Sequence, residues 1–369
     1  MTPFDAAARV LRDAAGARVF PAATAEVGAS DGPRWQAAQG TLTFDAPSPP
    51  AAIETLFDLA SLTKVIVTTT VVMQLVADGA LALDERVSAF FPEWRGTDRE
   101  IVAVRDFLEH ASGLPARLVD TPPRSRREFE HDICTMPLEC APRTRSIYSD
   151  LGFILLGFLV ADRSRASLAE AFEAIAVRLP PSPPRGYGGP GHSDATSPDL
   201  LAFDLPPDLR RRAAPTQPMD DDPRRGRMLV GEVHDNYAAA LGGAAGHAGL
   251  FGTAPAVGAF ARTVLRAARG DESMPPPFSP SRVAEFTTKS RVPGSSRALG
   301  WDTMLPTSSC GTRMSASAIG HVGYTGTSLW IDPARDRYFV LLANRACGGA
   351  TLDDMRTVRR AFHDALGDV

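Results

Sequence analysis

The sequence predicts an α+β fold in which both ends of the chain build one antiparallel sheet around a helical middle. Near the start, residues 17–45, "ARVFPAATAEVGASDGPRWQAAQGTLTFD", read as two strands joined at the turn "SDGP". Near the end, "TSLWIDPARDRYFVLLANR" reads as two more strands, with "DPARD" as their hairpin turn. The last residues, "TLDDMRTVRRAFHDALGDV", have the spacing of an amphipathic helix, and the middle supplies helical patterns at about 61–79, 103–110 and 149–176.

The helix at 61–79 needs justification, because "VIVTTTVV" is rich in β-branched residues that favour strands. Its length without a turn signal decides for a buried helix. The choice has a chemical consequence, since only a helix puts Ser61 and Lys64 on one face. The region after 149–176, about 178–230, is rich in Pro, Gly and charge. A stretch this long without regular structure is expected to border a cleft.

The chain has 369 residues, enough for one large or two ordinary domains. Its 44% hydrophobic and 22% charged residues are those of a globular protein. A net charge of -4 with interspersed signs offers no basic stripe, so neither nucleic acid nor an anionic membrane is expected as a partner. No apolar run is long enough for a membrane span, and the amino terminus does not read as a secretory signal, so a cytoplasmic location is expected. The four cysteines have no C-x-x-C spacing, so reduced thiols without a catalytic role are expected.

Lys64 is the one charged side chain between Asp58 and Asp78. A buried, unpaired ammonium costs several kcal/mol or loses its proton, so something compensates it or uses it. One reading is a lysine whose stem is buried and whose head reaches water. The other is the S-x-x-K pattern of Ser61-Leu62-Thr63-Lys64, in which a serine at a helix start offers an unpaired backbone N–H to an oxyanion and the lysine one turn on accepts the hydroxyl proton. A second serine pattern, "GASDG" around Ser30, fits G-x-S-x-G, but the following Pro33-Arg34-Trp35 and a new strand make it a hairpin turn rather than a strand-to-helix elbow.

Two further motifs follow in order: Tyr148-Ser149-Asp150 in "YSDLGFILLG" and His321-Val322-Gly323 in "HVGYTGTSLWID". With Ser61 and Lys64 they resemble the S-x-x-K, Y-x-N and K-T-G (or H-x-G) elements of the serine β-lactamase and penicillin-binding-protein superfamily, in particular its class C-related hydrolases and esterases. The flanking "LDERVSAFFPEW", "VRDFLEHASGLP" and "GHAGLFGTAPAVGAFA" resemble it too, so the similarity runs from about 55 to 346.

The resemblance implies a β-lactamase/transpeptidase-like fold: residues 1–80 and 235–369 as an α/β subdomain carrying the sheet, 81–234 as a mostly helical subdomain, and the cleft between them. It implies an acyl-enzyme on Ser61, acid–base work shared by Lys64 and Tyr148, and a second oxyanion donor in the Tyr324 backbone N–H, beside Gly323. His321 stands where many relatives have lysine, and its charge is expected to vary near neutral pH and to help stabilise a Tyr148 phenolate. Asp150 stands where relatives commonly have Asn; as an ionised acid it accepts only, favours a charged Lys64 and weakens that lysine as a base. The superfamily uses no metal or cofactor. His234 and Asp235 in "GEVHDNYAAALGGAAGHAG" are expected as a hydrogen-bonded pair at the cleft edge or as structural residues. The substrate implied is a small ester or amide. D-alanyl-D-alanine carboxypeptidase-like or β-lactamase activity is the alternative, and a non-catalytic ligand-binding relative a second alternative.

Overall fold

The computed structural model of the chain describes residues 2–118, 122–179, 200–367 and 369. In chain order it begins with α1 (Pro3–Gly16), β1 (Ala22–Ala29), β2 (Gly32–Gly40) and β3 (Phe57–Asp58). A π-helical turn over Lys64–Thr68 leads into α2 (Thr69–Ala77), followed by α3 (Val104–Leu108), α4 (Arg126–Thr135), α5 (Asp150–Ser164) and α6 (Leu168–Ala176). Next come β4 (Leu201–Ala202), α7 (Pro207–Arg210), α8 (Asn236–Ala240), β5 (Phe251–Gly252), α9 (Ala254–Ala268) and α10 (Pro280–Thr287). The chain closes with β6 (Asp302–Thr303), β7 (Ile319–Val322), β8 (Ser328–Asp332), β9 (Arg337–Ala343) and α11 (Leu352–Ala365).

The main sheet is antiparallel with order β2-β1-β9-β8-β7-β6, so β1 pairs directly with β9 and the two chain ends meet as expected. Both faces of β1 are buried, which is why it lacks the polar alternation of a half-exposed strand. Ala23, Ala25 and Val27 pack with Leu11 of α1 and Phe362 of α11 on one side. On the other, Glu26 meets Arg262 of α9 at 3.1 Å and the Tyr338 hydroxyl at 2.6 Å, a buried pair held by charge-assisted bonds. The "GASDG" serine sits in the β1–β2 turn, where Ser30 binds Asp336, so the hairpin reading holds.

Helix α1 has no counterpart in the sequence reading. Its signal is nonetheless local: the Thr2 side chain accepts from Asp5 N–H while Asp5 accepts from Thr2 N–H, with Pro3 at the first helical position. The helical pattern expected over 149–176 is two helices, broken where Arg165 takes a left-handed φ of 55° and Ser167 caps α6 with Glu170 as its partner. The segment after Ser61 is helical, as its length implied, and burial of Val65, Ile66 and Val67 overrides their strand propensity. Of the 178–230 region, residues 180–199 lie outside the described residues.

Candidate active site

Ser61 stands at the start of a helical run whose first turn is closed by Leu62, Thr63 and Lys64 N–H on the carbonyls of Leu59, Ala60 and Ser61. Its own N–H precedes those bonds and has no intrahelical acceptor. Ala60 has a φ of 48°, a strained conformation for a residue with a Cβ and one often found beside functional groups. The turn is anchored from behind by the buried Asp58, whose carboxylate accepts from Ala60 N–H at 2.8 Å and His234 N–H at 2.6 Å. Burial raises the Asp58 pKa to about 6.

Lys64 is fully buried, and its ammonium has three acceptors: Ser61 Oγ at 3.0 Å, Asp150 Oδ1 at 2.8 Å and the His247 carbonyl at 3.0 Å. Burial works against the charge, but the Asp150 carboxylate and the Tyr148 side chain outweigh it and hold the lysine above its ordinary range. Asp150 is likewise penalised by burial, yet Lys64 and His247 bring its carboxyl below the usual range. Lys64 is therefore charged and has no lone pair with which to take the Ser61 proton. It can donate to Ser61 Oγ, which favours an alkoxide there.

Tyr148 precedes α5, and local bonds fix this entry: Ser149 Oγ caps Gly152 N–H and donates to the Pro115 carbonyl, Ser149 N–H donates to His110 Nδ1, and Asp150 N–H donates to the Ala116 carbonyl. The Tyr148 ring lies 5.1 Å from Lys64 Nζ, 5.0 Å from the Arg297 guanidinium carbon, and 4.6 and 5.8 Å from the His110 and His321 rings.

His321, on β7, corrects one expectation. It is buried, and burial together with Arg297 and Lys64 holds its pKa well below 6.5, so it is neutral across the physiological range and lends no positive field to Tyr148. Its Nδ1 lies 2.9 Å from the Val322 carbonyl, which can only accept, so the proton sits on Nδ1 and leaves Nε2 as an acceptor. Gly323 is where β7 meets the Ser61 turn: a Cβ there would lie 2.7 Å from the Leu59 carbonyl oxygen and 3.2 Å from Ala60 Cβ. This contact requires glycine and sets Tyr324 beside Ser61.

Ser61, Tyr148, Asp150, His321, Gly323 and Tyr324 line one cavity of about 370 Å³, whose wall also includes Met219 from the 178–230 region. The sequence patterns do not reveal the cation that completes the polar floor. Arg117 Nη1 bonds Asp150 at 3.1 Å and Asp235 at 3.0 Å, its Nη2 bonds Asn236 at 2.7 Å, and its guanidinium covers the Tyr237 ring at 4.0 Å. Asp235 bonds His247 Nε2 at 2.8 Å rather than the His234 ring, which stacks on Tyr324 instead. Burial opposes the Asp235 charge, but His247 and Arg117 hold its carboxyl far below the usual range.

Residues 7–363 match the model of the Beta-lactamase family. The chain is 30% identical over 344 residues to a putative D-alanyl-D-alanine carboxypeptidase of Escherichia coli strain K12, covering 84% of this chain and 74% of that protein. Among solved structures it superposes on a class C beta lactamase from Rhodobacter sphaeroides with a TM-score of 0.72 at 20% identity, over 98% of each chain. It also superposes on EstCE1, a hydrolase with promiscuous acyltransferase activity, with a TM-score of 0.73 at 17% identity, over 99% of this chain and 98% of that one. The fold is thus the β-lactamase/transpeptidase-like α+β fold.

Proposed function

This chain belongs to the Beta-lactamase family of serine hydrolases, and from that premise we propose that it hydrolyses small esters or amides through an acyl-enzyme on Ser61. The observation that carries the proposal is the 3.0 Å bond from the charged Lys64 to Ser61 Oγ inside the cavity that Tyr148 also lines. In the proposed sequence Tyr148 starts as a phenolate beside the Lys64 and Arg297 cations and takes the hydroxyl proton, Oγ bonds to the substrate carbonyl carbon, and the backbone N–H groups of Ser61 and Tyr324 bind the oxyanion. Tyr148 then returns its proton to the leaving oxygen or nitrogen, and water releases the acyl group by the same steps. Lys64 acts as a fixed cation, because Asp150 keeps it protonated, and His321 as a neutral acceptor at the cavity wall.

Asp150 counts against efficient β-lactam turnover, since its carboxylate cannot donate to a substrate amide carbonyl and it keeps Lys64 from acting as a base. The likeness to a putative D-alanyl-D-alanine carboxypeptidase favours a second reading, cleavage of D-alanyl peptides. We further propose that the cleft divides subdomains 1–80 with 235–369 from 81–234, and that the protein acts in the cytoplasm, where its four free thiols persist. Among the described residues no helix is long and apolar enough to cross a membrane; fractionation with intact cells tests the location.

A fluorophosphonate label followed by peptide mapping tests the nucleophile. The expected adduct is on Ser61 and is lost in Ser61→Ala; an adduct on Ser30 overturns the proposal. p-Nitrophenyl esters, a chromogenic cephalosporin and D-alanyl-D-alanine peptides assayed side by side then separate the substrate classes.

A further inference from the structure

Two cations behind the Gly323–Thr327 loop have no part in the chemistry proposed above. Arg345 follows β9 and donates to the Tyr324 carbonyl from Nε at 3.1 Å and from Nη2 at 2.7 Å. Arg359 of α11 donates from Nη2 to the Gly323 carbonyl at 2.7 Å and to the Thr327 carbonyl at 2.9 Å. They are 5% and 4% exposed, and neither has a carboxylate partner among the described residues. Burial and the Arg345 charge both work against the Arg359 cation. Arg359 Nε has no hydrogen-bond partner among the described residues, so the cost of burying this cation is offset only where Nη2 reaches the loop.

What they hold is the two peptide planes on either side of Tyr324. In a trans peptide the carbonyl and the N–H point in opposite directions. The Gly323 carbonyl is drawn to Arg359 and also accepts from Gly326 N–H at 3.2 Å, so the Tyr324 N–H of the same peptide is turned away from α11. Arg345 pins the next carbonyl, and its guanidinium lies 4.6 Å from the Tyr324 ring, so the residue cannot rotate about either peptide without breaking buried charge-assisted bonds.

We propose that Arg359, with Arg345, is a positioning residue for the oxyanion site: by holding the Gly323 and Tyr324 carbonyls it aims the Tyr324 N–H into the cavity and sets positive charge behind it. This rests on the reading that Ser61 and Tyr324 N–H groups bind the oxyanion. Arg345 does not line the cavity; Arg359 reaches its wall, and the role assigned to it acts through the Gly323 carbonyl it holds. Preorganised donors of this kind act by not having to reorient as charge develops.

The test compares Arg359→Lys, which keeps a cation without the planar fork, and Arg359→Met, which removes it. Each is assayed with p-nitrophenyl esters and with an arylboronic acid, which bonds to the serine oxygen as an anionic tetrahedral adduct. The expected result is a fall in kcat of about tenfold to a hundredfold, with Arg359→Lys the less affected. KM stays within about twofold, and boronate affinity weakens in step with kcat/KM. Lower thermal stability with kcat and boronate affinity per folded molecule unchanged overturns the inference. Tyr324→Pro removes the N–H itself at a turn position that accepts proline. Full kcat in that variant defeats the oxyanion reading as a whole; loss of kcat there, with the Arg359 variants unaffected, defeats the inference alone.

Discussion

Lys64 is an ammonium because of its neighbours, Asp150 first and Tyr148 after it. Its ordinary pKa is 10.5, burial alone would lower it, and these neighbours reverse that. The charged form is present below the pKa, so in the native protein it persists through neutral and mildly alkaline pH. Asp150→Asn removes the anion and lowers the lysine pKa, which brings loss of the ammonium into the accessible range as pH rises. The expected kcat/KM profile of the native enzyme has no alkaline limb from Lys64 below about pH 10. The variant acquires such a limb and loses roughly tenfold for each unit by which the lysine pKa falls below the assay pH. A variant profile superimposable on the native one from pH 5 to 10 counts against this. His321 adds no step near neutrality in either profile, because burial and two nearby cations keep it neutral. The residues at 61, 64, 148, 150 and 321 were legible from the resemblance of their motifs to the family's. The charge state of His321 was not, since it depends on Arg297, which stands 24 residues earlier in the chain.

At the scale of elements, the site depends on α5 approaching the turn after α8 at backbone distance. Thr68 Oγ1 donates to the Gly246 carbonyl at 2.6 Å, and the next carbonyl, His247, receives Lys64. A Cβ on Gly246 would lie 2.0 Å from the Phe153 carbonyl oxygen and 2.9 Å from Gly157 Cα. Gly246→Ala is therefore expected to cost about 1–3 kcal/mol, the usual range for overpacking, and to lower kcat by moving the carbonyl that holds Lys64. Gly349→Ala, where a Cβ meets nothing within 4 Å, is the control and leaves both unchanged. Urea unfolding and ester hydrolysis on the two variants decide it. The run "GGAAGHAG" marks small residues in the sequence, but not that a backbone carbonyl rather than the His247 imidazole faces the lysine. The capping box at Thr2 and the break at Arg165 were written locally, in Thr2–Asp5 and Ser167–Glu170. The break has no apolar period of its own, which is why a reading by periodicity merged α5 with α6; α1 does carry one, in Phe4, Ala7, Leu11 and Ala14, and the sequence reading passed over it.

Across the whole molecule, Lys64, Asp150, Arg117, Asp235 and His247 form one hydrogen-bonded polar layer at the cavity floor, drawn from four separate stretches of chain. Asp235 has a folded pKa depressed far below its ordinary 3.8. Its contribution to stability is therefore present above about pH 3.8 and is lost as pH falls toward the folded value. The urea midpoint of the native protein is expected to drop on acidification below about pH 4, at up to about 1.4 kcal/mol per pH unit for this one proton. Asp235→Asn flattens that drop, and equal acid sensitivity in the two proteins rules the layer out as its source.

The sequence by itself determined the strands at the two chain ends and the helix behind Ser61, because each is written in local period, length and turn chemistry, and its three motifs were readable from their resemblance to the family's. The Asp150–Lys64 pairing was expected from the motifs; tertiary structure alone decided the rest: that Arg117 and His247 complete the layer, that His321 is neutral, and that Arg359 holds the loop carrying Tyr324. The reason is physical. A period or a turn depends on neighbours in the chain, whereas a charge state depends on burial and on whatever lies within a few ångströms, which no spacing in the sequence encodes.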